Sequence, residues 1–180
     1  DLIGLSDEEI LAAMKGDASA LSLEQMLYAA TLTTDINEQL KYYQMTADKF
    51  PKCYRAWNNV GWAYLNMGKA NEAMTALEKA KAIKNDDVVK NNMGFAALLN
   101  EDFKAASEYF GSMSAATPES KFGLGTIAIH DGKYDQAVNL LGDKPTMNLA
   151  LAQLLKGDLN KAKTTMDAVP NCKCRAPSYL

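Results

Sequence analysis

The sequence has little of the material from which catalytic and metal sites are usually built. It contains one histidine and three cysteines in 180 residues, and each glycine is isolated, so no glycine-rich phosphate loop occurs. The lone His130 has no second histidine to pair with, and Cys53 with the Cys172 and Cys174 pair forms neither a disulfide framework nor a zinc spacing. We therefore expect no catalytic residue, no cofactor and no metal.

Long apolar runs and blocks of one charge are also missing. No apolar stretch approaches the roughly 20 residues of a membrane-spanning helix. The 19 basic and 22 acidic residues are intermixed and leave a formal net charge of −3, which makes nucleic acid an unexpected partner. The sequence starts at Asp1 without an initiator methionine or a signal peptide, so we interpret it as a processed or excised piece.

An internal repeat is the main feature that the sequence does contain. Gly61 and Gly94 are 33 residues apart, and Gly94 and Gly125 are 31 apart. Four segments also place a turn-permitting residue five positions before an alanine: Gly68 to Ala73, Glu101 to Ala106, Gly132 to Ala137 and Gly157 to Ala162. No alternating apolar segment is long enough for a strand, so the spacing predicts repeated helical hairpins.

Each recurring residue type has a physical reason in such a hairpin. A small residue in the first helix lets the second helix approach, and the later alanine does the same from the other side. Bulky residues then fill the space between neighbouring hairpins: Tyr64, Leu77, Phe110 and Leu141. The glycine between the helices takes a cap conformation that other residues resist, and Glu101 departs from this pattern.

From Tyr54 to about Leu141 the sequence resembles the tetratricopeptide repeat family. The resemblance implies an all-α fold, a right-handed superhelical stack of antiparallel helix pairs with about four to five repeats. Ser6 with Glu9 and Ser22 with Gln25 form capping-box patterns that mark two helix starts upstream. Downstream, the shorter spacing from Gly132 to Gly157 predicts a shortened helix around Val138 to Leu141.

The predicted organisation has three parts. Residues 1–21 are an N-terminal helix and linker, and residues 170–180 are a tail, which we interpret as the cut start of a further helix. Between them lies the repeat array, 22–169, divided at about 22–53, 54–87, 88–119, 120–145 and 146–169.

A second resemblance rests on the order of residues in four segments: Leu27 to Thr33, Trp57 to Asn59, Lys90 to Asn92 and Leu151 to Asp158. These resemble the repeat region of bacterial outer-membrane-associated cell-envelope proteins, some of which carry a peptidoglycan-binding domain of the outer-membrane-protein-A type. The resemblance implies a periplasmic or outer-membrane-associated location and association with envelope components.

The tetratricopeptide resemblance also implies a concave groove lined by the first helices, which would bind an extended peptide or a helix through its aromatic residues. The alternative is that these aromatics pack between helices. Glu24, Tyr28 and Glu119 stand where a carboxylate clamp would need other groups, so we expect no such clamp. The implied groove positions are Arg55, Asn58, Trp62, Asn66, Asn91, Phe95, Leu98, Phe122, Thr126 and His130.

These observations favour a non-catalytic scaffold for protein–protein interaction in a cell-envelope assembly. Two alternatives stay open, a structural spacer that acts through its ends and a cytoplasmic tetratricopeptide adaptor. A small enzyme or metal protein that uses His130 and the two late cysteines is the third. The sequence names neither the partner nor the oligomeric state.

Overall fold

The computed structural model describes residues 4–170, and the regular structure of this part is entirely helical. The fold class predicted from the sequence is confirmed. A short 3₁₀ helix spans Ala30–Leu32. The α-helices are α1 (Asp7–Lys15), α2 (Leu23–Ala29), α3 (Ile36–Lys49), α4 (Tyr54–Asn66), α5 (Ala70–Ile83), α6 (Asp87–Leu99), α7 (Phe103–Gly111), α8 (Pro118–His130), α9 (Tyr134–Leu141), α10 (Met147–Lys156) and α11 (Leu159–Ala168).

The helices pack as consecutive pairs, and the pairs stack. The α4/α5, α6/α7, α8/α9 and α10/α11 pairs are hairpins, and α3, α5, α7 and α9 each pack on the first helix of the next pair. The first helices also contact one another, α4 with α6, α6 with α8 and α8 with α10, whereas the second helices of successive hairpins do not make comparable contacts. The first helices therefore form the inner row of the stack, on its concave side.

Side chains cap several helices where the sequence predicts it. Ser6 and Glu9 form a complete capping box at the start of α1, and Ser22 and Gln25 form another at α2. Thr117 caps α8 in the same way with Pro118 in the first turn, where its missing N–H costs nothing. Pro118 thus opens a first helix, and the repeat boundary predicted between residues 119 and 120 falls inside α8.

The recurring glycines sit where another helix comes close. A Cβ on Gly61 would lie 2.5 Å from Cγ of Leu77, one on Gly94 would lie 2.5 Å from the Phe110 ring, and one on Gly125 would lie 2.7 Å from Cγ of Leu141. These bulky residues therefore pack on the glycine of their own hairpin as well as between hairpins. Two neighbouring repeats share Phe110 in this way, because Gly123 would meet its ring from α8, also at 2.5 Å.

The turn between the helices of a pair requires the left-handed region. Gly68, Gly132 and Gly157 have φ of 71°, 73° and 97°, and Glu101 takes their place with φ of 57°. Among the described residues Glu101 is the one non-glycine with positive φ. The departure noted in the sequence is therefore accommodated by strain in the backbone.

Packing becomes thinner along the stack. The first cluster of buried side chains joins α1 to α5 and includes Ile10, Met14, Met26 and Tyr42. The last cluster has only alanines as its fully buried members, Ala128, Ala137 and Ala152. Helix α9 is 8 residues long against 14 in α5, so the shortened helix predicted near Leu141 is confirmed.

Candidate functional site

The inner row of helices holds a pocket of about 500 Å³ near the N-terminal end of the stack. Residues from α2, α3, α4 and α6, with one from the 3₁₀ helix, line it. The lining is Glu24, Leu27, Tyr28, Thr31, Tyr43, Tyr54, Arg55, Asn58, Asn59 and Val88. Three tyrosine rings, two aliphatic side chains and two carboxamides thus face one hollow, together with a single acid and a single base.

Helical spacing explains why these residues meet. In α2 and the 3₁₀ turn that follows it, Glu24, Leu27 or Tyr28, and Thr31 lie on successive turns of one face. In α4, Arg55 and Asn58 are one turn apart in the same way. The two helices occupy equivalent places in consecutive pairs, so their inward faces lie side by side.

Glu24 and Arg55, which both line this pocket, form a two-point ion pair. Arg55 Nη1 donates to Glu24 Oε2 at 3.4 Å, and Arg55 Nη2 donates to Glu24 Oε1. The hydrogen bond from Arg55 lowers the pKa of Glu24, and the same bond raises the pKa of Arg55. Both side chains are close to half exposed, so the pair fixes geometry and neutralises charge more than it stabilises the fold.

The tyrosine rings are each held by a neighbour. The Tyr28 hydroxyl donates to Asp7 Oδ1 at 3.1 Å, and this bond raises the pKa of Tyr28. Tyr43 meets Trp62 edge to face at 6.5 Å between centroids, and burial raises the pKa of Tyr43. Lys84 Nζ lies 4.8 Å from the centroid of Tyr54. The aromatic wall is therefore largely preorganised.

Carboxamides connect the pocket to the next repeat. Asn92 Nδ2 on α6 donates to Asn58 Oδ1 on α4 at 3.0 Å, and Asn58 Nδ2 donates to Asn59 Oδ1 at 3.5 Å. The side-chain oxygen of Asn91 is buried without a hydrogen-bond partner among residues 4–170. A buried acceptor of this kind favours a donor such as a bound backbone N–H or a water molecule.

Of the ten groove positions implied by the sequence, the structure brings only Arg55 and Asn58 into the pocket. Trp62 is exposed beside it, with 39% of its surface accessible. Asn66 lies further along α4 and its amide bonds the Trp62 carbonyl at 2.8 Å. Helix α4 thus carries all the predicted groove residues that lie at or near the pocket.

The remaining predicted positions follow the inner row away from the pocket. Phe95 meets Phe110 edge to face at 5.2 Å and packs between helices, and Leu98 joins the same apolar cluster. Thr126 accepts a hydrogen bond from Asn148 at 2.9 Å. His130 stacks on Phe103 with 3.7 Å between centroids. Phe122 is half-buried on α8.

The sequence interpretation left out several residues that line the pocket. Glu24 and Tyr28 entered it only as side chains unsuited to a clamp, and Tyr54, Asn59 and Val88 were not among the groove positions. A signal was present, because Glu24 and Tyr28 precede Arg55 and Asn58 by 31 and 30 residues, close to the repeat spacing. Val88 carries the same signal, because it follows Arg55 by 33 residues, the spacing of Gly61 and Gly94.

The residues of the metal or enzyme hypothesis are far apart in sequence and partly undescribed. His130 Nδ1 lies 3.2 Å from Asp131 Oδ1, and Cys53 is a free thiol that precedes α4. Cys172 and Cys174 lie outside the described residues. Within residues 4–170, no group of three or more His, Cys, Asp or Glu side chains is arranged to hold a metal ion.

A helix that crosses a bilayer needs about 20 predominantly apolar residues. In the described part of the chain, no helix is both long and apolar enough to span a membrane.

Stacked helix pairs with an inner row of first helices define a helical-repeat solenoid. Residues 54–87, which form α4 and α5 with their turns, match the family model described as tetratricopeptide repeat. The family match therefore covers one hairpin, and the other described hairpins share its arrangement of paired helices. A sequence comparison with curated proteins finds no significant match.

Solved structures share this fold at low sequence identity. The chain is similar to one in the crystal structure of the APC/C hetero-tetramer Cut9-Hcn1, with 16% identity and a TM-score of 0.74 over 90% of this chain and 36% of the other. It thus spans about a third of that protein. It is also similar to a tetratricopeptide repeat protein from Parabacteroides merdae ATCC 43184, with 16% identity and a TM-score of 0.70 over 89% and 70% of the two chains.

A third similar structure is YrrB, described as a tetratricopeptide repeat protein with an unusual peptide-binding site. Its identity is 18% and its TM-score 0.59, over 90% of this chain and 91% of the other. At these identities the likeness concerns the fold alone.

Proposed function

We propose that this protein is a non-catalytic scaffold that binds a peptide segment of a protein partner in the pocket between α2, α3, α4 and α6. The observation that carries the proposal is the composition of that pocket, with aromatic and aliphatic walls, two carboxamides and a neutralised ion pair in about 500 Å³. Binding sites of this kind combine an apolar surface with a few placed polar groups. The described similarity of the fold to a peptide-binding protein adds support.

Binding energy in such a pocket is expected to concentrate in a few contacts. Tyr54 forms part of the wall at the first turn of α4, and Val88 projects from α6 with 55% of its surface exposed. Aromatic anchors at the centre of an interface commonly carry about 2 kcal/mol or more each. Loss of one anchor should therefore weaken binding by roughly 30-fold.

The test begins with peptides selected from a displayed library on the purified protein. Affinities are then measured by fluorescence anisotropy for the wild type, Tyr54→Ala, Val88→Lys and the matched surface control Leu159→Ala. We expect the two pocket variants to lose binding and the control to keep it. Equal binding by all four proteins, each with unchanged helical content, would refute the pocket proposal.

For the cellular setting we propose a cell-envelope assembly, at the periplasmic or outer-membrane-associated side, with a cytoplasmic adaptor as the alternative. The support is the amino-acid sequence of the four segments described above, which resembles the repeat region of envelope proteins. Fractionation of the cells that make the protein separates the two settings. Recovery with the envelope or periplasm is expected, and recovery with cytoplasmic proteins alone would favour the adaptor.

A second candidate function, a spacer that acts through its ends, is favoured by the last hairpin. Aligning Gly157 with Gly68 places Leu154, Leu159 and Met166 in register with Leu65, Ala70 and Leu77. The first three are 46%, 63% and 48% exposed and their counterparts 9%, 8% and 0%. Deleting the α8/α9 hairpin tests this candidate, because it shortens the stack while every residue that lines the pocket is kept, and a spacer should fail when its length changes.

A further inference from the structure

We infer that Glu24 acts as an internal counter-ion that holds Arg55 and makes the pocket select against acidic ligands. The partner segment would then present apolar and amide groups to the pocket and no carboxylate. This inference rests on the proposed function, because it names the chemistry of the partner that the same pocket takes.

The geometry shows that Arg55 is already occupied. Its two terminal nitrogens face the two oxygens of Glu24, which is the arrangement that a ligand carboxylate would otherwise adopt on a guanidinium. The pair joins the first helices of two consecutive repeats, and both of its members line the pocket. An incoming carboxylate therefore has to displace Glu24.

The pocket lining contains no basic side chain besides Arg55, so no unpaired cation of the lining could bind a ligand carboxylate. Lys84 lies over Tyr54, one of the lining residues, and pairs with Asp86 at 2.8 Å. Lys90 on α6 pairs with Asp87 at 3.2 Å. An acidic ligand would thus meet Glu24 and, beyond Tyr28, Asp7, without an unpaired partner.

The remaining lining fits a neutral peptide. Leu27, Val88 and the three tyrosine rings offer apolar surface, and Asn59 offers a carboxamide to a peptide backbone. Burying these groups costs no charge desolvation, whereas a ligand carboxylate would be desolvated beside Glu24. Selectivity of this kind comes from an unfavourable contact with the wrong ligand.

The test is a selection from a library of random octapeptides fused at their C-termini to a phage coat protein, so that no peptide carries a free carboxyl terminus. Parallel selections use the wild type, Glu24→Gln and the control Glu108→Gln, which makes the same charge change on α7. We expect the wild-type and Glu108→Gln pools to be depleted of Asp and Glu. The Glu24→Gln pool should be enriched in them.

Individual peptides then measure the effect. Acidic peptides should bind Glu24→Gln between about twofold and fivefold more tightly than wild type, the range that one exposed ion pair supports. The double variant Glu24→Gln/Arg55→Gln should lose this gain. Circular dichroism confirms that each variant is folded.

Two failures are distinguishable. If peptides are enriched but their acidic content is the same for wild type and Glu24→Gln, or if acidic peptides bind the wild type best, the inference about Glu24 is wrong while the binding pocket stands. If no pool is enriched over the bare support, or if binding survives Tyr54→Ala, the proposed function itself fails and the inference falls with it.

Discussion

The N-terminal end of the stack is covered by α1, whose Ile10 and Met14 are almost completely buried in the cluster that joins α1 to α5. The last hairpin, in contrast, leaves 63% of Leu159 and 48% of Met166 exposed in the described structure. The pocket lies next to the covered end. A site is held more rigidly where its supporting helices are packed on all sides. We therefore expect the first repeats to bind the ligand, whereas the last hairpin presents an exposed apolar surface.

Leu77 and Met166 occupy equivalent positions in their hairpins, and truncating Leu77 should have the largest effect on stability. Leu77 is fully buried, and Leu77→Ala should lower the free energy of unfolding by about 3 kcal/mol. Met166→Ala at the exposed counterpart should lower it by less than about 1 kcal/mol. Urea unfolding followed by circular dichroism measures both. Equal losses would mean that the two ends are equally well packed.

The glycines of the first helices sharpen the same comparison. Gly61→Ala pushes a methyl group into Leu77, which cannot move, and should cost about 2 kcal/mol after the gain in helix propensity. Gly125→Ala meets Leu141, which is only partly buried at the end of the short α9 and can shift. We expect it to be near neutral in thermal melts. A larger loss at Gly125 would contradict the thinner packing.

Tyr42, on α3 near the covered N-terminal end, makes the stability of the fold sensitive to alkaline pH. Its burial, followed by its hydrogen bond to Glu38 at 2.8 Å, raises the pKa of Tyr42 to about 12. The folded state therefore holds the phenolic proton more tightly than the unfolded state, and this contribution is complete below about pH 10 and is lost between about pH 10 and 12.

Comparison with Tyr42→Phe isolates the effect. The stability of the wild type relative to this variant should fall by about 1 kcal/mol between pH 10 and 11. Unfolding in urea at a series of pH values measures it. Parallel pH curves for the two proteins would show that Tyr42 does not titrate as proposed.

The smallest effect is expected at the joint between α6 and α7. Glu101→Gly removes the cost of a left-handed non-glycine residue and should raise the free energy of unfolding by up to about 1 kcal/mol. As a matched control, Gly68→Ala places a side chain in the same conformation and should lower it by a similar amount. A destabilised Glu101→Gly protein would show that Glu101 makes a contact worth more than the strain.

The hairpins were predictable because each depends on local residues. The spacing of Gly61, Gly94 and Gly125 reflects close helix contacts, and Ser6 with Glu9 caps a helix within one turn. The boundary predicted between residues 119 and 120 falls inside α8, since a proline such as Pro118 is compatible with both a chain break and the first turn of a helix. The choice was made by Thr117, which caps α8.

The pocket was less predictable because it depends on how neighbouring helices lean together. Phe95 has the spacing of a groove residue, yet its ring packs edge to face on Phe110. The Phe110 ring lies against Gly94, the residue that precedes Phe95. Val88 enters the pocket from the next repeat, at the position that corresponds to Arg55 by the 33-residue spacing, but its apolar side chain gave no sign of a binding role. Glu24 shows its role only when its carboxylate is seen on Arg55.

Chemical-shift mapping by NMR tests the central claim most directly. A selected neutral peptide is titrated into isotope-labelled protein, and the perturbed amides and side chains are assigned along the stack. The account predicts that the changes concentrate at Tyr28, Tyr54, Asn59 and Val88 and leave Leu159 and Met166 unmoved. Changes concentrated on α10 and α11, with the pocket unaffected, would contradict it.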